Sequence, residues 1–448
     1  MSNTIMTTIY NHYMTTYSPK KSDARLDSHN KSELKNIYSN ILKLNKEAPL
    51  YIYDRNEQTT SFALSLKENT RQLQHTILNT VGNKENDLFK NKVAFSSDDD
   101  VVSVKYIGDT AESSAENYQL MALKVQNPEY LEAADAMLMI PDFFHYKLSG
   151  KKVQEYTEAT TAQLVNPETK DWDYELIDML GFPKGIFQKI LMPGTPIGNL
   201  TAEVQEIVGY DCQVVLPPTH DTAAAVMALP TNAEDTCYIS SGTWSLMGVE
   251  TSTPNCSEQS RIANFTNEGG YGGKITYLTN IMGLWMINSV RNKHVPEMSY
   301  GDLCEQASHE TIASLVDCQD ECFMAPEDMA EAVKEYCRAR GQEVPETIPA
   351  VASVIYNSLA KCYAEKLQEI QKITGVTYER LNIIGGGSNA KYLNELTAKY
   401  TGIPVVAGPG EATAIGNILA QMMGEGTFAN LAEARNCVAE SFDVKVFE

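Results

Sequence analysis

The chain has 448 residues, of which 43% are hydrophobic and 21% charged, and it carries a formal net charge of −22. This length allows about two or three domains, each able to bury its own core. The acidic balance argues against a nucleic-acid partner, because binding to phosphate backbones requires a basic surface. The sequence contains neither an apolar run of the ~18 to 20 residues that span a membrane nor a signal pattern, so neither a membrane protein nor an exported one is predicted.

The composition changes near residue 110. The first 110 residues hold 14 Lys and Arg against 13 Asp and Glu, whereas the rest of the chain holds 22 against 45. All nine cysteines, all three tryptophans and all but two of the 27 glycines lie after residue 110. We therefore predict two segments of different character, joined near residues 108–117. Nine cysteines without a signal sequence indicate reduced thiols and a cytoplasmic location.

Residues 1–112 are predicted to form a helical segment. Apolar side chains at helical spacing predict one amphipathic helix at 32–47 and a second at 60–81. Two such helices fit a helical hairpin or a coiled coil, so their apolar faces are candidates for contact with another protein. The three carboxylates from Asp98 to Asp100 are interpreted as a solvated turn or a helix cap in preference to a metal site.

The next region, residues 118–232, contains small helices and a short buried strand at 212–216. Helices are predicted at 118–126, 130–139 and 157–164, and Asp171-Trp172-Asp173 is predicted to cap a further helix that runs through Leu180. Pro141 is predicted to end the second of them, and Gly181 to close the last. The strand is ended by a proline pair that cannot donate to a ladder.

The last region, residues 233–448, alternates strands with helices. Strands are predicted at 236–240, 381–384 and 404–407, a glycine-rich hairpin at 269–273, and helices at 280–291, 326–345, 348–373, 392–400 and 412–423. The strand at 381–384 leads into Gly385-Gly386-Gly387 and then a helix. Such a turn lets a nucleotide approach the backbone near a helix N-terminus.

His220 and Asp221 follow the strand at 212–216 and precede a run of small helical residues. They are predicted to lie on a strand-to-helix turn, with Asp221 or Thr222 as the N-cap. Open α/β sheets bind ligands at the carboxyl ends of their strands, so this turn is a candidate site. The alternative interpretation is that Asp221 only caps the helix.

A second candidate loop follows close behind, where a strand ends in Ser240-Ser241-Gly242-Thr243. Small side chains, backbone N–H groups and hydroxyls are typical of a turn that holds phosphate. One potential base followed by one potential phosphate loop indicates phosphoryl transfer to an alcohol. A zinc site built from Cys304, His309, Cys318 and Cys322 is disfavoured, because their spacing matches no recognised zinc motif.

From about Tyr118 to the C-terminus, several runs occur together and in a recognisable order. They are Met139-Ile140-Pro141-Asp142-Phe143-Phe144, Glu155-Tyr156-Thr157-Glu158-Ala159-Thr160, Thr219-His220-Asp221-Thr222, Ser240-Ser241-Gly242-Thr243-Trp244, Asn267-Glu268-Gly269-Gly270, Asn280-Ile281-Met282-Gly283-Leu284-Trp285, Ile384-Gly385-Gly386-Gly387, Ala407-Gly408-Pro409 and Glu411-Ala412-Thr413. In these runs the chain resembles the FGGY family of carbohydrate kinases, and within it the rhamnulokinase group.

The resemblance implies an α/β fold of the actin-like, ribonuclease-H-like type found in sugar kinases. It divides the chain into a helical, non-kinase segment at 1–112, the remainder of the first kinase domain at 118–232 and the second, nucleotide-binding domain at 233–448. The family opens with a phosphate-binding hairpin, and nothing in residues 1–117 resembles it. The first domain is therefore expected to be incomplete.

The resemblance also implies an activity, the phosphorylation of L-rhamnulose by ATP with Mg²⁺. Asp221 would be the catalytic base, and it would bind the sugar together with His220, Thr222 and Asn280. The nucleotide would be bound by Thr243, Asn288 and Gly386. At Asn288 the family has a glutamine, so the amide here is shorter.

Two other interpretations stay open at this point. In one, the chain is a catalytically impaired remnant that still binds nucleotide. In the other, it is a structural or interaction protein that works through its N-terminal helices and carries the kinase region as a passenger.

Overall fold

The computed structural model describes residues 92–97, 100–105, 120–121, 123–124 and 128–448, except for residue 235. The chain forms two compact units. One consists of Met1–Thr80 with Ala202–Asp211, and its described part contains one helix of seven residues, Ala202–Val208. The other unit consists of Val81–Thr201 with Cys212–Glu448 and contains the fold described below.

The secondary structure alternates short strands with helices. The strands are β1 (Lys92–Ser97), β2 (Asp100–Lys105), β3 (Gln154–Glu155), β4 (Val165–Asn166), β5 (Asp171–Trp172), β6 (Ile190–Leu191), β7 (Pro196–Asn199), β8 (Gln213–Val215), β9 (Thr236–Ser241), β10 (Ser245–Thr251), β11 (Thr266–Gly269), β12 (Ile275–Ile281), β13 (Arg380–Ile384), β14 (Val405–Ala407) and β15 (Lys445–Phe447). The α-helices are α1 (Pro128–Ala133), α2 (Ile140–Ser149), α3 (Tyr156–Thr161), α4 (Tyr174–Leu180), α5 (Ala202–Val208), α6 (Asp221–Met227), α7 (Glu258–Ile262), α8 (Trp285–His294), α9 (Tyr300–Ser308), α10 (Met329–Ala339), α11 (Ile348–Thr374), α12 (Lys391–Thr401), α13 (Ala412–Gly424) and α14 (Leu431–Ser441).

A seven-stranded mixed sheet forms the centre of the larger unit. Its order is β11-β12-β10-β9-β13-β14-β15. Strand β10 lies between β9 and β12 and is antiparallel to both, whereas β13 lies parallel to β9 and β14 parallel to β13. The carboxyl ends of β9, β12, β13 and β14 therefore lie along one edge of the sheet, which we call the carboxyl edge.

Helices cover both faces of this sheet. Side chains alternate between faces along each strand, so Ile239 and Tyr277 join the core beneath the long helix α11. Tyr238 points to the opposite face and packs with Ala225 and Val226 of α6. On this second face a Cβ at Gly416 of α13 would overlap the backbone carbonyl of Ala224, so glycine there allows α6 and α13 to lie in direct backbone contact.

The region at 128–201 has a smaller core of its own around Leu164, Trp172 and Ile177. The indole nitrogen of Trp172 donates to the carbonyl of Gln188 at 2.7 Å. Helix α4 begins where the Asp173 side chain accepts from the Leu176 backbone N–H, and it ends at Gly181 in the left-handed conformation. These caps are the ones that the sequence predicts.

The prediction for Pro141 was wrong. Helix α1 ends at Ala133, the chain then runs extended, and Pro141 lies in the first turn of α2. Proline is favoured there because the first helical N–H groups have no intrahelical partner to lose. The predicted helices at 348–373, 392–400 and 412–423 are confirmed as α11, α12 and α13.

The two helices predicted at 32–47 and 60–81 lie outside the described residues. Further along the same N-terminal segment, β1 and β2 pair in register as an antiparallel hairpin, which the sequence analysis did not predict. Among the described residues, none of the helices is both long enough and apolar enough to span a bilayer.

Candidate functional site

Several predicted site residues meet at the carboxyl edge of the sheet. Thr243 lies in the β9–β10 turn, which begins directly after Ser241. Gly386 follows β13, whose last residue, Ile384, pairs in register with Ser240 of β9. Asn280 pairs with Leu246, which in turn pairs with Ser240, so it lies at the same level of the sheet.

The glycine run at 385–387 is fitted closely against the end of β9. Gly385 has φ +82°, and a Cβ there would lie 2.9 Å from the Ser241 carbonyl oxygen. At Gly387 a Cβ would overlap the Ser241 hydroxyl. Gly386 is different, because it is exposed and nothing lies within 4 Å of its ideal Cβ position. Gly385 and Gly387 thus allow the turn to pack closely against the end of β9, whereas the backbone at Gly386 is open to a ligand.

Two substitutions separate these roles. We expect Gly387→Ala to destabilise the protein by about 1–3 kcal/mol through overpacking, and an added Ser241→Gly change to restore most of that loss. Gly386→Ala is expected to leave the melting temperature unchanged while weakening ATP binding, because its methyl group would occupy the open surface. Thermal unfolding and calorimetric titration with ATP measure both effects, and an equally large loss of stability in both variants would contradict this assignment.

Asp221 begins helix α6 and does not cap it. The N-cap is His220, whose side chain makes no capping hydrogen bond, so the predicted cap at Asp221 or Thr222 was wrong. The Asp221 side chain is 64% exposed, and its Oδ1 lies 3.4 Å from the Thr222 hydroxyl. The Asp221 carbonyl accepts from the Thr413 hydroxyl at 3.1 Å. The backbone of Asp221 is therefore fixed where the first turns of α6 and α13 meet, and its carboxylate is left exposed.

The chain before Asp221 is held by the buried carboxylate of Glu155. Its Oε2 accepts from the N–H and hydroxyl of Thr219, at 3.1 Å and 2.9 Å. Three further donors come from Thr157 and the Glu158 N–H. The Thr157 hydroxyl also accepts from the backbone N–H of His220 at 3.2 Å. Burial raises the pKa of the Glu155 carboxyl, and the hydrogen bonds from Thr157 and Thr219 oppose that rise.

A second buried carboxylate, Asp142, lies behind Glu155. Its Oδ1 accepts from the Glu155 backbone N–H at 2.9 Å, while Oδ2 is buried without a hydrogen bond from the described residues. Burial, assisted by the negative charges of Glu155 and Glu158, raises the pKa of Asp142 from 3.8 to about 8. The folded protein therefore keeps a proton on Asp142 at pH values where the unfolded chain has lost it.

This shift predicts a pH-dependent stability. Because the folded-state pKa is the higher one, the contribution of Asp142 is complete below about pH 4 and is lost as the pH rises towards about 8. Asp142→Asn removes that dependence. As the pH rises across this range, the unfolding free energy of the variant relative to that of the parent protein should therefore increase by up to about 1.4 kcal/mol per pH unit. Urea unfolding at several pH values measures the difference, with the exposed Asp443→Asn as control. Parallel curves for Asp142→Asn and the parent would contradict the prediction.

His220 lies between two carboxylates. Its Nδ1 is 3.4 Å from Oε2 of Glu268, and its Nε2 is 3.7 Å from Oδ1 of Asp221. Burial disfavours the charged imidazole, but the negative charges of Glu268, Asp221, Glu158 and Glu155 outweigh it and raise the pKa of His220. His220 Nδ1 and Glu268 Oε2 are both buried, and neither makes a hydrogen bond with the described residues.

Asn280 is not at a helix start as predicted. It lies on β12, and the helix that follows begins at Trp285. Its side chain shares a face with Thr276 and Leu278, the face that carries α6, because Tyr277 and Ile281 point into the other core. Asn280 Oδ1 is buried and accepts no hydrogen bond from the described residues, so it is available to a ligand. Asn288 lies one turn into α8 and is partly exposed.

The turn that carries Asp221 is connected to the carboxyl edge of the sheet through the loop after β14. The Gly408 N–H donates to the Ile383 carbonyl, and the Gly385 N–H donates to the Pro409 carbonyl at 3.0 Å. Helix α13 begins three residues after Pro409, and its Thr413 holds Asp221. Within the described part of the chain, no hydrogen bond joins Asp221 directly to Asn280, Thr243 or Gly386, and the loop after β14 provides the connection.

The other end of α6 is held by Arg435 of α14. Its guanidinium donates to the Val226 carbonyl at 2.8 Å and contacts Glu250 of β10 at 2.7 Å. The Arg435 side chain is 5% exposed and that of Glu250 15%. Arg435, Glu155 and Glu268 were not assigned to the site from the sequence. Their partners are distant along the chain, although Glu155 and Glu268 fall within the runs that carry the family resemblance.

Among the residues that the structure describes, no group of three or more His, Cys, Asp and Glu side chains could hold a metal ion. Cys304 and Cys318 are buried in the main core, whereas Cys322 is exposed.

Comparison with known proteins places this architecture in a family. The N-terminal domain profile of the FGGY family of carbohydrate kinases matches residues 65–228, and the C-terminal domain profile matches residues 237–425. The first of these matches reaches back beyond Tyr118, where the resemblance in the sequence begins. It includes the hairpin of β1 and β2.

Comparison with individual proteins leads to the same family. The chain is 46% identical over 330 residues to a rhamnulokinase of Oceanobacillus iheyensis, covering 74% of this chain and 70% of that protein. It is 46% identical over 328 residues to a rhamnulokinase of Halalkalibacterium halodurans, covering 73% and 70%. The crystal structure of gluconate kinase from Lactobacillus acidophilus superposes with a TM-score of 0.59 at 16% identity, covering 74% of this chain and 67% of that one, which shows a shared fold. The chain belongs to the FGGY family of carbohydrate kinases.

Proposed function

We propose that the protein is a rhamnulokinase, which transfers the γ-phosphoryl group of ATP to the O1 hydroxyl of L-rhamnulose. The relatives at 46% identity carry that name, which supports the choice of sugar. The observation that carries the chemistry is the exposed carboxylate of Asp221, which is fixed at the start of α6 and linked through Thr413 to the carboxyl edge of the sheet.

In this proposal Asp221 accepts the proton of the O1 hydroxyl as that oxygen attacks the γ-phosphorus. The bond from the γ-phosphorus to the leaving oxygen of ADP breaks, and L-rhamnulose 1-phosphate is formed. A carboxylate within hydrogen-bond reach of the alcohol suits this role as a general base. Phosphoryl transfer otherwise depends on positioning and on stabilising the charge of the phosphates.

The remaining residues bind the two substrates. His220, Thr222 and the unpartnered Oδ1 of Asn280 would contact the sugar hydroxyls. The hydroxyl of Thr243 would hold phosphate oxygens, the open backbone at Gly386 would face the nucleotide, and Asn288 would contact it from α8. Mg²⁺ bound to the β and γ phosphates would neutralise part of their charge.

The test is sugar-dependent consumption of ATP by the purified full chain. We expect ADP release with L-rhamnulose and Mg²⁺ to exceed that with D-xylulose, glycerol or gluconate, and phosphorus NMR to identify a 1-phosphate product. An equal rate without sugar, or a faster rate with another of these substrates, would contradict the proposal. We expect the protein to work in the cytoplasm, where ATP is supplied and its nine free cysteines stay reduced.

Neither alternative interpretation gains support from these observations. The matches to the family cover both its N-terminal and its C-terminal domain.

A further inference from the structure

Close to Asp221 lies a buried carboxylate, Glu268, to which the proposed reaction assigns no task. Glu268 of β11 lies against His220 on the side away from Asp221, with 3.4 Å between Oε2 and Nδ1. On the other side, 3.7 Å separates Nε2 from Oδ1 of Asp221. The imidazole ring of His220 therefore bridges a largely buried carboxylate and an exposed one.

Both members of the buried pair are held by one short helix, α3. The Thr157 hydroxyl accepts from the backbone N–H of His220. One turn later, the Thr160 hydroxyl accepts from the backbone N–H of Gly269, the residue after Glu268, at 2.9 Å. Because the two threonines share a helix, the spacing between His220 and Glu268 is set by a rigid element.

Packing fixes the strand that carries Glu268 as well. A Cβ at Gly269 would lie 2.7 Å from the ring of Tyr156, a side chain with no exposed surface. The Thr276 hydroxyl donates to the carbonyl of Glu268 from the neighbouring strand. Substituting the Glu268 side chain alone therefore leaves the contacts of its backbone in place.

The chemistry of the pair determines which nitrogen of His220 carries a proton. A carboxylate oxygen can only accept, so an imidazole nitrogen facing it is favourable only as N–H. With Nδ1 protonated in this way, Nε2 is directed towards Asp221. Glu155 and Glu158, from β3 and α3, are the other negative groups that act on the ring, and all of them favour its charged form.

We propose that Glu268 is a positioning residue, which keeps a proton on Nδ1 of His220 and fixes the ring so that Nε2 faces Asp221 and the sugar bound beside it. The part of this inference that concerns the bound sugar rests on the proposed sugar-kinase function. The part that concerns the protonation of His220 rests on the geometry alone. Substituting Glu268 should therefore alter the titration of a histidine as well as catalysis.

The experiment is nitrogen NMR of histidine side chains in the full chain, which has seven histidines. The His220 signal is identified by its loss in His220→Gln. We expect Glu268→Gln to lower the pH midpoint of His220 by about one unit and to change its ring tautomer, because an opposite charge has been removed. Glu268→Asp, which keeps the charge, should restore part of the shift, and the exposed Glu440→Gln serves as control.

Kinetics supply the second measurement. Glu268→Gln is expected to reduce kcat/KM for L-rhamnulose by about tenfold and to shift its pH profile, while KM for ATP stays unchanged. In a His220→Gln background the same change should have little further effect, because the two residues act as a unit. An unmoved His220 titration in Glu268→Gln, or losses that multiply in the double variant, would overturn the proposal. If the parent protein phosphorylates no sugar, the proposed function fails, and the NMR titration still decides the role of Glu268.

Discussion

Replacing Asp221 with asparagine is expected to lower kcat for sugar-dependent ATP consumption by about 10²- to 10⁴-fold, the usual contribution of a general base. Asparagine keeps the size of the side chain and its contact with the Thr222 hydroxyl, but its amide cannot accept the proton of the sugar hydroxyl. KM for ATP should change little, because the residues predicted to bind nucleotide lie at the carboxyl edge of the sheet.

The same variant should be nearly as stable as the parent protein. The Asp221 side chain is 64% exposed and caps no helix, and its replacement removes one negative charge that lies 3.7 Å from His220. Steady-state kinetics together with thermal unfolding test both statements, and Asp443→Asn provides an exposed carboxylate as control. A variant that retains more than about a tenth of the parent kcat would exclude Asp221 as the base.

The second large effect is expected far from the chemistry, at Arg435. Arg435→Met removes the buried charged partner of Glu250, which is 15% exposed, and takes away the donors to the last carbonyls of α6. Breaking a buried ion pair by removing one member costs about 3–5 kcal/mol. Because the half-exposed Lys274 stays 3.7 Å from Glu250 and offsets part of its charge, the lower end of that range applies. We expect a loss of unfolding free energy of that size.

Arg261→Met is the matched control. Arg261 pairs with Glu258 on the surface of helix α7, and solvent-exposed pairs of this kind contribute little to stability. Denaturant unfolding of both variants should therefore separate them clearly. Losses of unfolding free energy of similar size in the two variants would show that burial of the Arg435 pair is unimportant. An additional fall in kcat for Arg435→Met would show that catalysis requires α6 to be held at both ends.

Much of the second domain could be predicted from the sequence, because its elements are long and periodic. The 27 residues of α11 carry apolar side chains at helical spacing over many turns, and β13 is a short apolar run ended by glycines. The errors occurred at boundaries where one residue type serves two purposes. Pro141 starts α2 although proline also ends helices, and Asn280 belongs to a strand that leads within four residues into a helix.

The candidate site shows a similar division. Thr243, Asn280 and Gly386 were identified by resemblance, and the strand register then places them at one edge of the sheet. Glu155 and Glu268 could not be assigned roles from the sequence, because their partners Thr219 and His220 lie far away in it. Buried carboxylates depend on contacts between distant segments, and no local pattern encodes such contacts.

The order of strands in the central sheet has a consequence for how the protein is made. As the chain leaves the ribosome, the antiparallel strands β9 to β12 can pair early, because all four lie between Thr236 and Ile281. The parallel partner of β9 arrives much later, since Thr236 pairs with Arg380. Until then β9 has an open edge, the state in which a nascent chain is most exposed to misassembly. The glycine turn at 385–387 can therefore form only after β13 has been synthesised, and this part of the carboxyl edge is among the last parts of the sheet to be completed.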